Sequence, residues 1–368
     1  MRCSVFTLAL QAGLAIASPI DFPPAQLVAR QVVDRPFNAS LPNITIFATG
    51  GTIAGSASSS DQTTGYQAGA LGVDLLLQAV PQLYNVSNPR GIQFANVGSS
   101  EVTPAMLVNL TQHIQRELDS PHCQGVVVTH GTDTLEETGF FLDLTVNSTK
   151  PVVMVGAMRP ATAISADGPI NLLEAVTLAA SPAAAGRGAM VVLNDRIGSA
   201  YYTTKSNANM LDTFRAAEQG YLGFFLNIKP FFYFQPSLPV GKPMFDVSGA
   251  ALDALPQVDV LYGHQGLDPA LAKAAVAAGA KGLVLAGMGA GSWTKNGTAA
   301  IDEIVKESGT AVVYSRRSMD GSAGRSRGKG TYGSGTLNPQ KTRIMLQLAL
   351  EAGYDDEQLR ALFEFEEE

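Results

Sequence analysis

The chain has 368 residues, of which 46% are hydrophobic and 15% are charged, and this length is enough for two domains with large apolar cores. Its formal net charge of −7 argues against nucleic acid or an anionic membrane surface as a partner. Composition and charge do not indicate which small molecule the protein binds.

The N-terminus has the features of a targeting segment. Arg2 provides a positive start, residues 5–17 form an apolar run, and Ala15-Ile16-Ala17 fits the small-x-small rule for cleavage. The run is too short to span a bilayer. A buried N-terminal helix is the alternative, but polar, proline-rich sequence follows at once. We therefore predict a signal peptide over 1–17, an unstructured leader over 18–40, and secretion to an extracellular, cell-wall or periplasm-like space.

Glycosylation patterns and cysteine usage agree with secretion. The Asn-x-Ser/Thr pattern occurs at Asn38, Asn43, Asn85, Asn109, Asn147 and Asn296. Asn43 begins an apolar strand and is the weakest candidate. The chain has two cysteines, and Cys123 has no intrachain partner if Cys3 leaves with the signal peptide. The sequence thus predicts a glycoprotein without an internal disulfide.

Apolar runs and helical patterns alternate after the leader. Strands are predicted at residues 44–48, 125–130, 151–156 and 189–194, and helices at 73–80, 104–117, 136–144 and 169–179. Runs that are apolar throughout are typical of parallel strands covered on both faces. The alternation predicts a parallel sheet with right-handed crossovers.

The alternation of predicted strands and helices is interrupted from residue 229 to 256 and then resumes. Residues 229–256 are rich in proline and aromatic residues, which indicates an edge element followed by a linker. Further strands are predicted at 258–262, 282–286 and 310–314, and helices at 269–278, 299–307, 339–351 and 356–363. The predicted fold is α/β, with a larger N-terminal parallel-sheet domain (41–230), a linker (231–256) and a smaller C-terminal α/β domain (257–368).

A long basic segment follows the last predicted strand. Residues 316–335 contain Arg316, Arg317, Arg325, Arg327 and Lys329 among glycines and serines. No aromatic residue interleaves them apart from Tyr332, and the protein is acidic overall. A mobile surface or active-site loop is therefore favoured over a nucleic-acid contact.

Two polar turns, 49–56 and 129–137, follow predicted strands, where ligands bind in parallel sheets. Residues 50–56 lack the lysine of a P-loop, and the glycine spacing does not fit a dinucleotide site. A G-x-S-x-G match at 324–328 does not lie between a strand and a helix. No metal site is predicted, since His113, His122, His130 and His264 and the single mature cysteine show no ligand spacing.

What remains is a threonine nucleophile, Thr52, in a glycine-flanked turn. Its base would be a tyrosine or a lysine, because no histidine is well placed. We expect His130 to be a hydrogen-bonded structural residue at a strand end.

Five stretches together resemble the bacterial-type L-asparaginase family, specifically its secreted type II branch in a fungal-like form. They are ATGGTIAG (48–55), VTHGTDTLEET (128–138), KPVVMVGAMRP (150–160), SADGPINLLEA (165–175) and GTLNPQKTRIMLQLAL (335–350). The resemblance covers roughly residues 41–364. It implies hydrolysis of L-asparagine to L-aspartate and ammonia through a threonine acyl-enzyme, without a metal or cofactor, in a homotetramer that is a dimer of dimers.

The resemblance also implies a role for each matching residue. The catalytic residues would be Thr52 as nucleophile, Tyr66 as its activator, and Thr132, Asp133 and Lys205 as a second polar triad. Asp133 would also bind the substrate's α-ammonium group and Ser99 its α-carboxylate. The further substrate-binding residues would be Ser100, Thr132 and Ser292. From the residues alone, Asp133 could equally be a helix N-cap, Lys205 a solvated lysine and Tyr66 an ordinary loop aromatic.

Some positions depart from the family pattern. Ser100 replaces a Gln or Glu, and Ser292 stands where a neighbouring subunit often contributes an asparagine. The neighbour's acidic residue has no counterpart in 321–333, and Ser148 replaces the cysteine that pairs with the counterpart of Cys123 in some relatives. Two alternatives therefore stay open: a broader glutaminase-asparaginase, and a catalytically silent asparaginase-like binding protein.

Overall fold

The structure is a computed structural model that describes residues 37–65, 67–324 and 328–364. The predicted signal peptide, most of the predicted leader and Tyr66 lie outside these ranges. Of the predicted leader, the structure describes residues 37–40, and a turn begins at Asn38, whose carbonyl accepts from Leu41 N at 3.0 Å. The Asn88 side chain holds this turn: its Oδ1 accepts from Asn38 N and its Nδ2 donates to Asn38 O.

The larger domain comes first in the chain. Its elements are β1 (Asn43–Gly50), α1 (Val73–Ala79), α2 (Leu83–Val86), β2 (Asn88–Val97), α3 (Pro104–Asp119), β3 (Gly125–Thr129), α4 (Leu135–Thr145), β4 (Val152–Val155), α5 (Gly168–Ala179), β5 (Ala189–Leu193), β6 (Arg196–Ser199), β7 (Thr204–Lys205), β8 (Phe214–Arg215), β9 (Gly223–Leu226) and β10 (Lys229–Phe232). Within the described ranges its main sheet has eight strands in the order β10-β9-β6-β5-β4-β3-β1-β2.

The sheet is parallel from β2 to β5 and antiparallel from β5 to β10. From β1 the chain goes to β2 on one side and then crosses to β3, β4 and β5 on the other. Strands β3, β4 and β5 are buried throughout, because helices cover both faces of this part of the sheet. The carboxyl ends of β1 and β3 therefore lie at a topological switch point, where open α/β sheets bind ligands.

The hydrophobic pattern does not predict every strand. β2 contains Pro89, Arg90 and Gln93, and none of its residues is fully buried. It is tolerated because an edge strand pairs on one side only. β6 and β9 are four residues long and lie next to turns in which Asn194, Asp195, Asn227 and Ile228 have positive φ. The predicted edge element at 229 is confirmed as β10, which continues to Phe232, past the predicted start of the linker.

The smaller domain contains β11 (Val258–Tyr262), α6 (Ala270–Ala277), β12 (Gly282–Gly287), α7 (Lys295–Ser308), β13 (Ala311–Arg316), β14 (Thr331–Gly333), α8 (Pro339–Glu351) and α9 (Asp356–Phe363). Its strands are parallel, in the order β11-β12-β13-β14. The segment 316–335, expected to be an unpatterned loop, thus includes a buried strand. β14 was missed because it is short and its pairing with β13 is a tertiary contact.

The two domains share one apolar cluster. It includes Phe140, Phe141 and Leu144 of α4 and Met345 and Leu348 of α8. The fold is therefore α/β with a larger N-terminal, mostly parallel domain and a smaller C-terminal parallel domain, as predicted.

The connection between the domains is packed rather than loose. Phe245 and Val247 are buried in the shared cluster, and Phe245 N donates to Leu144 O at 2.8 Å. Lys242 forms a buried ion pair with Asp143 at 2.9 Å. In the part of the chain that the structure describes, no helix is long and apolar enough to cross a membrane.

Candidate active site

A cleft of about 530 Å³ opens at the carboxyl ends of β1, β2, β3 and β4. Among the residues that line it are Thr52, Ser99, Ser100, Thr132, Asp133 and Lys205. These predicted site residues come from four separate parts of the chain. The sheet order brings them together at the switch point beside β1 and β3.

The turn after β1 places Thr52 in the cleft wall. Gly50 and Gly51 have φ values of 109° and 80°, which favour glycine, and Gly51 N donates to Val97 O at 3.0 Å. A Cβ atom on Gly51 would lie 2.3 Å from the Cα atom of Gly131, so the turns after β1 and β3 touch backbone to backbone. Thr52 then begins a 3₁₀ turn and is 7% exposed.

The turn after β3 carries a polar chain that ends on β7. The ammonium of Lys205 lies 3.0 Å from Thr132 Oγ1 and 2.6 Å from Asp133 Oδ1. The Lys205 side chain is 13% exposed, whereas that of Asp133 is 77% exposed. Asp133 is not the N-cap of α4, since Thr134 occupies that position. Its carboxylate is thus held by Lys205 and open to the cleft.

The turn after β2 is tied to the turn after β3. Ser99 begins a short 3₁₀ helix and is 7% exposed. Its Oγ accepts from Thr134 N at 3.4 Å, and its carbonyl accepts from Thr134 Oγ1 at 2.7 Å. Ser100 is exposed beside it at the cleft. The turn therefore contributes two serines to the cleft that Asp133 also lines.

His130 has the structural role that we expected. It is buried, and its Nδ1 donates to the carbonyl of Gly131 at 2.8 Å. Burial lowers the pKa of His130 to about 4, so the ring is neutral and Nε2 accepts from Thr138 Oγ1 at 2.9 Å. His130 thus links the turn after β3 to α4 through Gly131 and Thr138, and it is not among the residues that line the cleft.

Residues after β4 also line the cleft, and they were not assigned to the site from the sequence. Met158 and Arg159 line the cleft, and their backbone N–H groups donate to the Asp167 carboxylate at 2.9 Å each. Asn171 Nδ2 donates to the same carboxylate at 3.0 Å. The sequence contained a signal for this part of the cleft. Met158 and Arg159 directly follow the strand predicted at 151–156, and ligands bind at the carboxyl ends of parallel strands.

The chain does not bring every predicted residue to this cleft. Ser292 lies in the smaller domain, where its backbone pairs with Met288, and it is not among the described lining residues. Tyr66 and the centre of the G-x-S-x-G match, 325–327, lie outside the described ranges. Within those ranges no group of three or more His, Cys, Asp or Glu side chains is arranged to hold a metal ion.

Comparisons with known proteins identify relatives along most of the chain. Residues 43–238 match the family described as "Asparaginase, N-terminal", and residues 257–363 match the "Glutaminase/Asparaginase C-terminal domain". The chain is 58% identical over 331 residues to "Probable L-asparaginase 1" of Schizosaccharomyces pombe, covering 90% of this chain and 91% of the relative. It is 43% identical over 330 residues to "L-asparaginase 2" of Escherichia coli, covering 88% and 93%.

A solved structure agrees with these relatives. The crystal structure of "Probable Cytoplasmic L-asparaginase from Campylobacter jejuni" superposes with a TM-score of 0.83 and 42% identity, covering 88% of this chain and 99% of that one. The resemblance to the bacterial-type asparaginase family is thereby confirmed. The chain belongs to the bacterial-type asparaginase family.

Proposed function

We propose that the protein hydrolyses L-asparagine to L-aspartate and ammonia through an acyl-enzyme on Thr52. One observation carries the proposal. Thr52 and the chain formed by Thr132, Lys205 and Asp133 line one cleft, where the turns after β1 and β3 touch. The names of the relatives from Schizosaccharomyces pombe and Escherichia coli support asparagine as the substrate.

Substrate binding follows from the charges at the cleft. A zwitterionic amino acid needs a fixed anion for its ammonium group and donors for its carboxylate. The exposed carboxylate of Asp133 provides the anion. The hydroxyl groups of Ser99 and Ser100, with nearby backbone N–H groups, provide the donors. The side-chain amide of asparagine would then point toward Thr52.

The reaction has two steps. Thr52 Oγ attacks the amide carbon, and its proton passes through a neighbouring base, for which the family resemblance assigns Tyr66, to the amide nitrogen. The C–N bond breaks, ammonia leaves, and an ester joins the aspartyl group to Thr52. Water then attacks the ester carbon, a proton returns to Thr52 Oγ, and L-aspartate is released. Lys205 can move a proton through Thr132 Oγ1, which lies 3.0 Å away.

Developing charge on the amide oxygen must also be stabilised. In the proposed mechanism, backbone N–H groups of the turns after β1 and β3, which both line the cleft, would donate to this oxygen. One such donor typically accounts for a factor of about 10²–10³ in rate. This contribution requires no metal ion.

The nucleophile is tested by trapping. Wild type and Thr52→Ala are incubated with L-asparagine or a slow analogue, quenched in acid and digested for mass spectrometry. We expect an aspartyl adduct on the peptide that contains Thr52, and a loss of nearly all ammonia release in the variant. An adduct on another residue, or equal ammonia release by both proteins, would overturn the mechanism.

The same assay separates the two alternatives. A glutaminase-asparaginase is a real candidate because the C-terminal match is described by both activities. Steady-state rates with L-asparagine and L-glutamine, measured side by side, give the ratio of the two kcat/KM values directly. A silent binding protein would show no difference in ammonia release between wild type and Thr52→Ala.

We also propose that the protein is secreted and glycosylated. Of the predicted acceptors, Asn38, Asn85, Asn147 and Asn296 are exposed. The Asn43 amide instead donates to His122 O at 2.7 Å, and Asn109 is half-buried within α3, so neither is accessible to a glycan. Peptide mapping of protein from the culture medium, before and after enzymatic deglycosylation, tests this. Glycan on Asn43, or none on the exposed sites, would contradict it.

A homotetramer built as a dimer of dimers is proposed as well. Ser292 is exposed, far along the chain from the cleft-lining turns, which is compatible with a contribution to a neighbour's site. Apolar side chains on and after β9 and β10 are also exposed, including Leu226, Phe231, Tyr233 and Phe234. Light scattering with size-exclusion chromatography measures the assembly, and a monomer with full activity would refute it.

A further inference from the structure

The first turn of α8 reaches from the smaller domain into the larger one. The helix begins at Pro339, and its N-cap Asn338 accepts from Lys341 N through Oδ1 at 3.0 Å. These residues belong to the stretch at 335–350 that indicated the family. The proposed reaction assigns them no role.

Lys341 is a buried cation with a complete set of acceptors. Its side chain is among the largest that are fully buried, at 2% exposure for the residue. Nζ donates to the carbonyl oxygens of Ala200, Tyr201 and Thr203 at 2.9, 2.8 and 2.7 Å. An ammonium group has three donors, so each one is used. The acceptors belong to the segment that leads directly into β7 and Lys205.

Asn338 holds the next residues of the same segment. Its Nδ2 donates to Thr204 Oγ1 at 3.3 Å and to Glu136 Oε2 at 3.0 Å. The other oxygen of Glu136 accepts from Lys205 N at 3.2 Å. From Ala200 to Lys205 the backbone is thus fixed by two side chains of the smaller domain and one of α4.

The placement of Lys341 is unfavourable for a purely structural residue. A cation in the first turn of a helix opposes the helix dipole, and burial opposes the charge itself. Burial lowers the pKa of Lys341 to about 8, against the opposing effect of Glu136 and Asp143. An apolar side chain would fill this space without that cost. However, an apolar side chain would have no N–H groups to donate to the carbonyl oxygens of Ala200, Tyr201 and Thr203.

We infer that Lys341 and Asn338 are positioning residues that set the place of the Lys205 ammonium group against Thr132. The smaller domain thereby controls turnover in a cleft that it does not line. The inference rests on the proposed catalytic role of Lys205, which the experiment therefore tests separately.

The experiment uses the full-length protein and compares three single variants. Lys341→Met keeps the length of the side chain and removes its donors. Asn338→Asp keeps the helix cap and removes the amide donors, and it serves if Lys341→Met does not fold. Met345→Ala, a buried change on the same helix, reports the effect of lost stability alone. Each kcat is measured well below the melting temperature and divided by the folded fraction from circular dichroism.

We expect kcat of Lys341→Met and Asn338→Asp to fall about 10- to 100-fold, with KM within about threefold of wild type, because misplacing a catalytic group affects the chemical step. Met345→Ala should lower the melting temperature and leave kcat unchanged. If the first two variants also keep kcat per folded molecule, the residues are merely structural and the inference is wrong.

A double-mutant cycle adds a measurement that a structural role would not alter. In a Lys205→Met background, Asn338→Asp or Lys341→Met should change the residual turnover by less than about twofold, because their effect acts through Lys205. If Asn338→Asp or Lys341→Met lowers turnover in this background by the same factor as in wild type, these residues do not act through Lys205. If Lys205→Met itself retains wild-type turnover, the proposed role of Lys205 fails and the inference falls with it, whereas a failure of the proposed function is recognised separately by unchanged ammonia release in Thr52→Ala.

Discussion

Gly51 and Gly131 meet backbone to backbone, and this contact joins the two turns on which the proposed chemistry depends. A Cβ atom on Gly51 would lie 2.3 Å from both N and Cα of Gly131. A Cβ atom on Gly131 would lie 2.8 Å from Ser99 Oγ. Neither glycine can take a side chain without moving a turn that lines the cleft.

Gly51→Ala should therefore reduce turnover by at least about 100-fold, because a displacement of about 1 Å at a reacting group costs on that order. Gly220→Ala is the matched control, since Gly220 has a similar φ of 77° and nothing within 4 Å of its would-be Cβ. The control should lose about 1–2 kcal/mol of stability from its backbone conformation alone. Equal activity in both variants would contradict the role of the contact.

Lys205→Met should lower kcat by about 10²–10⁴-fold, the range associated with a positioned proton-transfer group. The folded state should survive, since the lysine is at the cleft and not in the core. Lys273→Met, which removes an exposed ion pair with Glu303, is the control and should leave kcat unchanged. Steady-state ammonia release measures both. Retained turnover in Lys205→Met would exclude the proton-carrier role.

Glu174 predicts that the folded state loses stability as the pH rises from about 4.5 to 8. The side chain is fully buried on α5, and burial, followed by the neighbouring Asp195, raises the pKa of Glu174 to about 8. The folded state thus holds a proton that the unfolded chain releases above about 4.5, and this contribution is lost as the pH rises from 4.5 to 8. Glu174→Gln should gain about 3–5 kcal/mol relative to wild type across that window.

Urea denaturation of wild type and Glu174→Gln at pH 5 and pH 8.5 measures this difference. Glu307→Gln, at an exposed position, is the control. Its difference from wild type in the free energy of unfolding should be the same at both pH values. A constant difference between wild type and Glu174→Gln at the two pH values would show that Glu174 is ionised in the folded state.

His130 predicts that the folded state loses stability as the pH falls below about 6.5, which is the opposite direction from Glu174. Its pKa is lowered to about 4 in the folded state, so the neutral ring contributes stability above about pH 6.5 that is lost as the pH falls toward 4. The loss amounts to roughly 3 kcal/mol. His130→Gln should be less stable than wild type at pH 7, and the gap should narrow by pH 4.5. Chemical denaturation at the two pH values tests this, and a gap that stays constant would argue against a neutral ring.

The sequence predicted the parallel part of the fold because local pattern and tertiary role agree there. Strands β3, β4 and β5 are apolar throughout and are buried throughout. The carboxyl ends of such strands meet at one edge, so the turns with Thr52 and Thr132 could be expected to converge. Edge strand β2 was not recognised, because pairing on one side allows Pro89 and polar residues that disguise it.

Long-range polar contacts were beyond the reach of pattern analysis. The distance between Lys205 and Thr132 depends on a segment 73 residues further along the chain. Lys341 illustrates the limit most clearly, since a lysine in the first turn of a helix is ordinarily solvated. Its burial follows only from the way α8 packs on α4, which brings the carbonyl groups of Ala200, Tyr201 and Thr203 to its ammonium group.

The apolar cluster shared by α4 and α8 has a consequence for unfolding. Phe140, Phe141 and Leu144 would become exposed to water if the smaller domain melted first, and Met345 and Leu348 would become exposed if the larger one did. Neither sheet can therefore lose its structure alone at low cost. Calorimetry should record a single cooperative heat-absorption peak, although the main sheets of the two domains are separate.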